Sequence, residues 1–170
     1  MSLRARLVLL SAILIVAAGC SASTTTLLLV RHAEKGPGKD PDLTPEGRQR
    51  AEALIDVARR RGVAAVYHTQ YKRSVQTAEP AAAALGIPRI LVEYIPGQEP
   101  AHAEDVVRKI LATYAGKVVL VVGHTTTLPA LMARLGVVNP PEIPETEYGG
   151  LYGVVEEGSK GTLQLGKFGP

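Results

Sequence analysis

The sequence predicts a three-layer α/β/α sandwich with a mostly parallel sheet and a C-terminal hairpin. Three observations carry this expectation. Strand-like apolar runs alternate with segments of helical periodicity from residue 26 onward. "KVVLVVGH" is a continuous apolar run of the kind that fills the middle of a parallel sheet covered on both faces. "GLYGVVEEGSKGTLQLGKF" reads as two strands joined by a glycine-containing turn. Repeated βα units closed by a hairpin give that layered architecture. At 170 residues, 46% hydrophobic and 21% charged, the chain suits one folded domain better than two, and its composition excludes a disordered chain.

The first residues stand apart. "MSLRARLVLLSAILIVAAGC" has Arg4 and Arg6, then a twelve-residue apolar run from Leu7 to Ala18 broken only by Ser11, then small residues up to Cys20, the single cysteine. This is the anatomy of a secretory signal, and the apolar run is too short for an ordinary membrane span of about 20 residues. "VAAGC" resembles a bacterial lipoprotein lipobox with Cys20 as the lipidated residue, although Ala17 stands where leucine is most usual. The reading is a lipoprotein-type signal peptide over 1–19, a polar tether over 20–25 and one domain over 26–170. An ordinary secreted form and an uncleaved N-terminal anchor are the alternatives. The expected address is extracytoplasmic, at the cell envelope through an N-terminal lipid anchor. One cysteine cannot form an intramolecular disulfide.

Removal of Arg4 and Arg6 from 19 Lys+Arg leaves 17 against 16 Asp+Glu, a net charge near +1. The basic balance of the whole chain therefore does not point to nucleic acid. Arg59 to Arg61 fit the C-terminal end of a solvated helix, where cations oppose the helix dipole.

Each element has its own justification. "TLLLV" is a buried-strand candidate. "LTPEGRQRAEALIDVARRRG" follows as a helix with Thr44 as N-cap, Pro45 at the first helical position, an apolar stripe at Ala51, Leu54, Ile55 and Ala58, and Gly62 as the stop. "AAVYH" is a second strand. "SVQTAEPAAAALG" is a second helix in which Pro80 is expected to kink or divide the run. "RILVEY" is a third strand that would carry Glu93. "AEDVVRKILATYAG" is amphipathic through Val106, Val107, Ile110, Leu111 and Tyr114, and "TLPALMARLG" is a short helix after the fourth strand.

In open α/β sheets ligands bind outside the carboxyl ends of the strands. Here the strand ends bring Arg31 and His32, then Arg73 in "HTQYKRS", then Glu93, then His124 in "GH". Two guanidiniums can hold a dianion by bidentate hydrogen bonds, which makes phosphate the expected guest. One imidazole can attack a bound phosphoryl group while a second donates to its oxygens, and a carboxyl group can protonate the leaving oxygen. The arginines supply the positive charge, so no metal and no cofactor is required.

The chain resembles the histidine phosphatase superfamily, the phosphoglycerate mutase-like group, in a small RHAEK-type form. The resemblance rests on "LVRHAEK", "LTPEGRQRAEAL", "VYHTQYKRSVQTAEPAAAALG" and "VVLVVGHTTTLPALMARLG" in this order, over about residues 26 to 155. It implies a phosphoglycerate mutase-like fold, His32 as the phosphorylated nucleophile, Arg31, Arg73 and His124 as phosphate ligands, and Glu93 as proton donor. The "GxxEG" that follows that acid in mutase-like members is absent, and Glu99 in "EYIPGQEP" is a rival donor; an unidentified residue or water is the third option. "RHA" replaces the common "RHG", so Ala33 adds a methyl group near the phosphate loop.

Only 50 residues separate Arg73 from His124, leaving little room for the long insertion that covers the site in sugar-phosphate mutases of the superfamily. An open site lets water reach the phosphohistidine, which favours hydrolysis over transfer. The expected activity is a metal-independent phosphomonoesterase acting on a phosphorylated small molecule or a phosphoprotein, phosphohistidine included. A phosphate-binding receptor or scaffold at the envelope is the competing class, and a phosphoglycerate mutase is disfavoured. Of the remaining polar residues, His68 is read as structural, His102 as solvent-exposed or N-terminal in a helix, and Thr125, Thr126 and Thr127 as helix caps. Glu34 and Lys35 are placed at the pocket mouth, in ion pairs or touching substrate. Glu145 and Glu147, in the Pro- and Glu-rich loop before the last strands, receive no role.

Overall fold

The computed structural model describes residues 24–158 and 160–170. The signal peptide expected over 1–19, Cys20 and the rest of the tether up to residue 23 lie outside the described residues. Strand β1 (Thr25–Arg31) begins where the tether was expected to end and is followed by α1 (Pro45–Arg61), β2 (Val63–His68) and α2 (Lys72–Leu85). Then come β3 (Arg89–Leu91), α3 (Glu99–Tyr114), β4 (Val118–Gly123), α4 (Thr127–Arg134) and the hairpin of β5 (Gly150–Glu157) and β6 (Lys160–Lys167). Among the described residues no helix is long and apolar enough to cross a membrane.

The strands form one sheet in the order β3-β2-β4-β1-β5-β6. β3, β2, β4 and β1 run parallel, while β5 pairs antiparallel with β1 and with β6. Because successive strand side chains point to opposite faces, the continuous apolar runs divide cleanly. Leu27, Leu29, Ala65, Tyr67, Val119 and Val121 pack with Val106, Val107 and Ile110 of α3 and Leu128, Leu131 and Met132 of α4. Leu28, Val30, Val66, Leu120 and Val122 pack with Leu54 and Ala58 of α1 and Ala78, Ala81 and Ala82 of α2. Burial on both faces is what makes the strands apolar throughout rather than alternating.

Local chemistry sets the helix ends. The Thr44 hydroxyl accepts from the Gly47 amide at 3.1 Å, and Gly62 closes α1 in the left-handed region at φ 63°. Val57, not Ile55, completes the buried stripe of α1; Ile55 is half-buried at the edge of the packed face. Pro80 does not divide α2: the helix runs unbroken from Lys72 to Leu85. β3 is only three residues long, because pairing with β2 ends at Leu91, so Glu93 lies in the loop beyond the strand.

Candidate functional site

The two histidines are neighbours by sheet register. Arg31 of β1 is aligned with Gly123 of β4, and the His32 amide donates to the Gly123 carbonyl at 3.0 Å. The next residue on each of two adjacent parallel strands is therefore a histidine at the same carboxyl edge. Their ring centroids are 5.4 Å apart. Arg73, in the first turn of α2, and Arg31 complete the set, and a cavity of about 380 Å³ is lined by Arg31, His32, Arg73 and His124 together. Lys35, Tyr71, Tyr94 and Glu145 also line it.

Burial of His32 and the cationic side chains of Arg31, Arg73 and Lys35 lower its pKa to about 3, against an opposing bond from the Ala33 backbone. His32 is thus neutral at neutral pH. Its Nδ1 lies 2.9 Å from the Ala33 carbonyl oxygen, an acceptor, so Nδ1 carries the proton and Nε2 keeps its lone pair. Burial lowers His124 to about 2, with His32 and Arg73 as further causes. The Nε2 of His124 is 2.9 Å from the Thr69 hydroxyl, and its backbone amide donates to Thr127 Oγ1 at 2.8 Å. Thr127, expected as a cap, holds the His124 backbone instead, and no side chain caps α4.

Ala33 causes no crowding of the phosphate loop. Its methyl group is buried against Leu43 and Ala51, and its amide donates to Thr77 Oγ1 at 2.9 Å. Thr77 in turn donates to the Arg73 carbonyl at 2.6 Å, which ties the His32 loop to the helix that carries Arg73. Glu34 accepts from Arg50 Nε through both carboxylate oxygens, at 2.9 and 3.0 Å, and so fastens this loop to α1; Lys35 faces the cavity. Gly47 is required for the same junction. A Cβ there would stand 2.1 Å from the Glu34 carbonyl oxygen.

Arg31 is gripped by the loop before β5. Its Nη1 donates to the Pro144 and Glu147 carbonyls at 3.2 and 3.3 Å and to the Glu145 carbonyl at 2.5 Å. Its Nη2 donates to Glu145 Oε2 at 2.8 Å, and its guanidinium carbon sits 4.2 Å from the Tyr148 ring centre. Arg73 is held more loosely, with Nη1 3.6 Å from Asp40 Oδ1 and its guanidinium over the Tyr71 ring. The Nε atoms of both arginines are buried without a hydrogen-bond partner.

Glu93 is not brought to this site. It is exposed and lines a separate cavity of about 160 Å³ with His102 and Asp105, because the residue whose side chain turns inward there is Tyr94. Tyr94 stacks on His124, with ring centroids 5.4 Å apart and planes at 27°. Its hydroxyl donates to Glu99 Oε1 at 2.5 Å and lies 3.1 Å from Thr126 Oγ1, which puts the rival carboxylate behind the tyrosine. His102 is in the first turn of α3 as expected but is buried, with Nδ1 3.0 Å from the Glu93 carbonyl oxygen. His68 is buried with Nδ1 2.8 Å from the Thr69 carbonyl oxygen. Among the described residues no group of three or more His, Cys, Asp and Glu side chains is arranged to hold a metal ion.

Sequence reasoning misses Thr69, Tyr71, Tyr94, Glu145 and Tyr148, which lie outside helices and strands, and Thr77 of α2. The strand-two "HTQYKRS" places Thr69 and Tyr71 beside Arg73, a signal that could have found them. Glu145 and Tyr148 carry no local pattern, since they reach Arg31 across more than a hundred residues of chain.

The sequence profile of the histidine phosphatase superfamily (branch 1) matches residues 27–95. No curated protein sequence matches the chain. Among solved structures, YhfR of Bacillus stearothermophilus is 22% identical with a TM-score of 0.66, covering 83% of this chain and 96% of its own. The mycobacterial glucosyl-3-phosphoglycerate phosphatase is 14% identical with a TM-score of 0.64, covering 85% and 98%. The protein histidine phosphatase SixA, solved with tungstate, is 18% identical with a TM-score of 0.66, covering 84% and 96%. At these identities the likeness is one of fold, the phosphoglycerate mutase-like arrangement of six strands and four helices. The profile match spans His32 and Arg73, so over residues 27–95 the chain is similar to the histidine phosphatase superfamily.

Proposed function

We propose that this protein is a phosphomonoesterase that hydrolyses phosphate esters or phosphohistidine through a phosphohistidine on His32, with no metal required. The carrying observation is that two guanidiniums and two neutral histidines face one cavity. Arg31 and Arg73 hold the phosphoryl group, and their unpaired Nε groups are the kind of buried donor that gains most from an acceptor. His32 Nε2 attacks phosphorus, because its lone pair is free and Nδ1 is anchored on Ala33. His124 donates to the oxygens that gain charge, its ring held between Thr69 and Tyr94. Water then cleaves the N–P bond.

The connections between Arg73 and His124 are short: α2, β3, α3 and β4 take up most of that stretch, leaving no long insertion over the cavity. This supports hydrolysis rather than retained transfer. It also supports substrates as large as a phosphorylated protein side chain. The N-terminal signature supports an extracytoplasmic, lipid-anchored enzyme, with Cys20 as the lipidated residue. A phosphate-binding receptor is the second reading, favoured by the exclusion of Glu93 from the cavity. The deciding experiment is p-nitrophenyl phosphate hydrolysis in EDTA by the protein and by His32→Ala. His32-dependent release supports the enzyme, and phosphate binding without release supports the receptor.

A further inference from the structure

A phosphomonoesterase must supply a proton to any poor leaving group, and carboxylates able to do so are scarce here. Glu93 faces another cavity and Glu99 is bonded to Tyr94 behind the wall. Among the described residues, Glu145 is the sole carboxylate lining the cavity with His32, Arg73 and His124. Its Oε2 lies 2.8 Å from Arg31 Nη2 and its Oε1 lies 3.3 Å from Thr125 Oγ1, a hydroxyl donor.

The two halves of this residue are held very differently. Its backbone is fixed, since the Pro144, Glu145 and Glu147 carbonyls all accept from Arg31. Its side chain is 80% exposed although the arginine it meets is 3% exposed, so the carboxylate can swing while the loop stays in place. A pair with one partner in water is held weakly. A phosphoryl dianion offers Arg31 a stronger, more densely charged acceptor.

We propose that Glu145 is the general acid of this site. The proposal rests on the hydrolase reading above. The incoming phosphoryl group takes Arg31 Nη2 and displaces the carboxylate, which accepts the proton that arrives with a monoanionic ester or from solvent. In the first step the His32 Nε2–P bond forms, the P–O bond breaks, and the Glu145 proton passes to the leaving oxygen, giving an alcohol and a carboxylate. In the second step water attacks phosphorus, the N–P bond breaks, and the Glu145 carboxylate takes the water proton. Phosphate leaves, and the carboxyl group is restored to the state in which it began.

Glu145→Gln tests this, because the substitution keeps shape and hydrogen bonding while removing the proton, and the site is exposed enough for the variant to fold. The full-length protein and the variant are compared on a series of monoesters from p-nitrophenyl phosphate to simple alkyl phosphates. General acids contribute about 10²- to 10⁴-fold. The expected result is a kcat/KM loss at least about 100-fold larger on alkyl than on p-nitrophenyl esters, and a steeper dependence of rate on leaving-group pKa. Glu145→Asp, which keeps a carboxyl group, is expected to recover part of the alkyl activity. An equal loss on all esters overturns the proposal. A gain in activity with tighter inhibition by inorganic phosphate also overturns it, since Glu145 would then only compete for Arg31. Turnover of p-nitrophenyl phosphate by the unsubstituted protein separates these failures from failure of the hydrolase reading, in which no ester is hydrolysed and the acid role falls with it.

Discussion

The Nδ1 of His32 lies 2.9 Å from the carbonyl oxygen of Ala33, the next residue in the chain. This one contact selects the tautomer, orients the ring and leaves the Nε2 lone pair free. On the phosphomonoesterase reading proposed above, the expected intermediate is an Nε2-phosphohistidine. Rapid denaturing quench with a ³²P-labelled ester is expected to trap label that is acid-labile and alkali-stable on the peptide containing His32. Its absence from His32→Ala is required, and label on a different residue would overturn the assignment.

Loss of Glu93 is expected to cost little. The side chain lies outside the His32 cavity, so Glu93→Gln should retain alkyl-phosphate kcat/KM to within about twofold, where loss of a true proton donor costs about 100-fold or more. A loss of that larger size would return Glu93 to the mechanism. The measurement is steady-state kinetics on the same alkyl ester used for Glu145.

Four buried histidines bear on acid stability. His32, His68, His102 and His124 all have lowered pKa values, with burial the leading cause in each. The unfolded chain therefore binds protons on these groups below about pH 6.5 while the folded chain does not. Their contribution to stability is intact above that pH and is lost as pH falls towards the folded values, about 3 for His32. Urea midpoints are expected to fall from pH 7.5 to pH 5, and less steeply in His32→Ala. A midpoint that rises on acidification would contradict the burial of these rings.

Gly47→Ala is expected to destabilise the protein by about 1 to 3 kcal/mol, because the added Cβ would meet the Glu34 carbonyl oxygen at 2.1 Å, a backbone atom that cannot step aside alone. The helix propensity gained by alanine is smaller, about 1 kcal/mol. Activity should fall together with stability, since the same loop carries His32. Urea denaturation and p-nitrophenyl phosphate kinetics on the variant read the two effects separately.

The sequence by itself determined the layered α/β fold, the ends of α1 and four of the residues that line the cavity. Thr44, Pro45 and Gly62 act on their immediate neighbours, and apolar runs report burial, so both are legible along the chain. Arg31, His32, Arg73 and His124 are legible because strand ends in a parallel sheet share one edge. The acid was not. Whether Glu93 or Tyr94 turns inward depends on where β3 stops, and that is set by pairing with β2 at His68 and Leu91. Nor did any spacing place Glu145 on Arg31, since their sequence separation leaves only long-range packing to join them. Local hydrogen bonding and periodicity are written residue by residue, whereas the side chain that fills a cavity's last position is chosen by the closing of the whole fold.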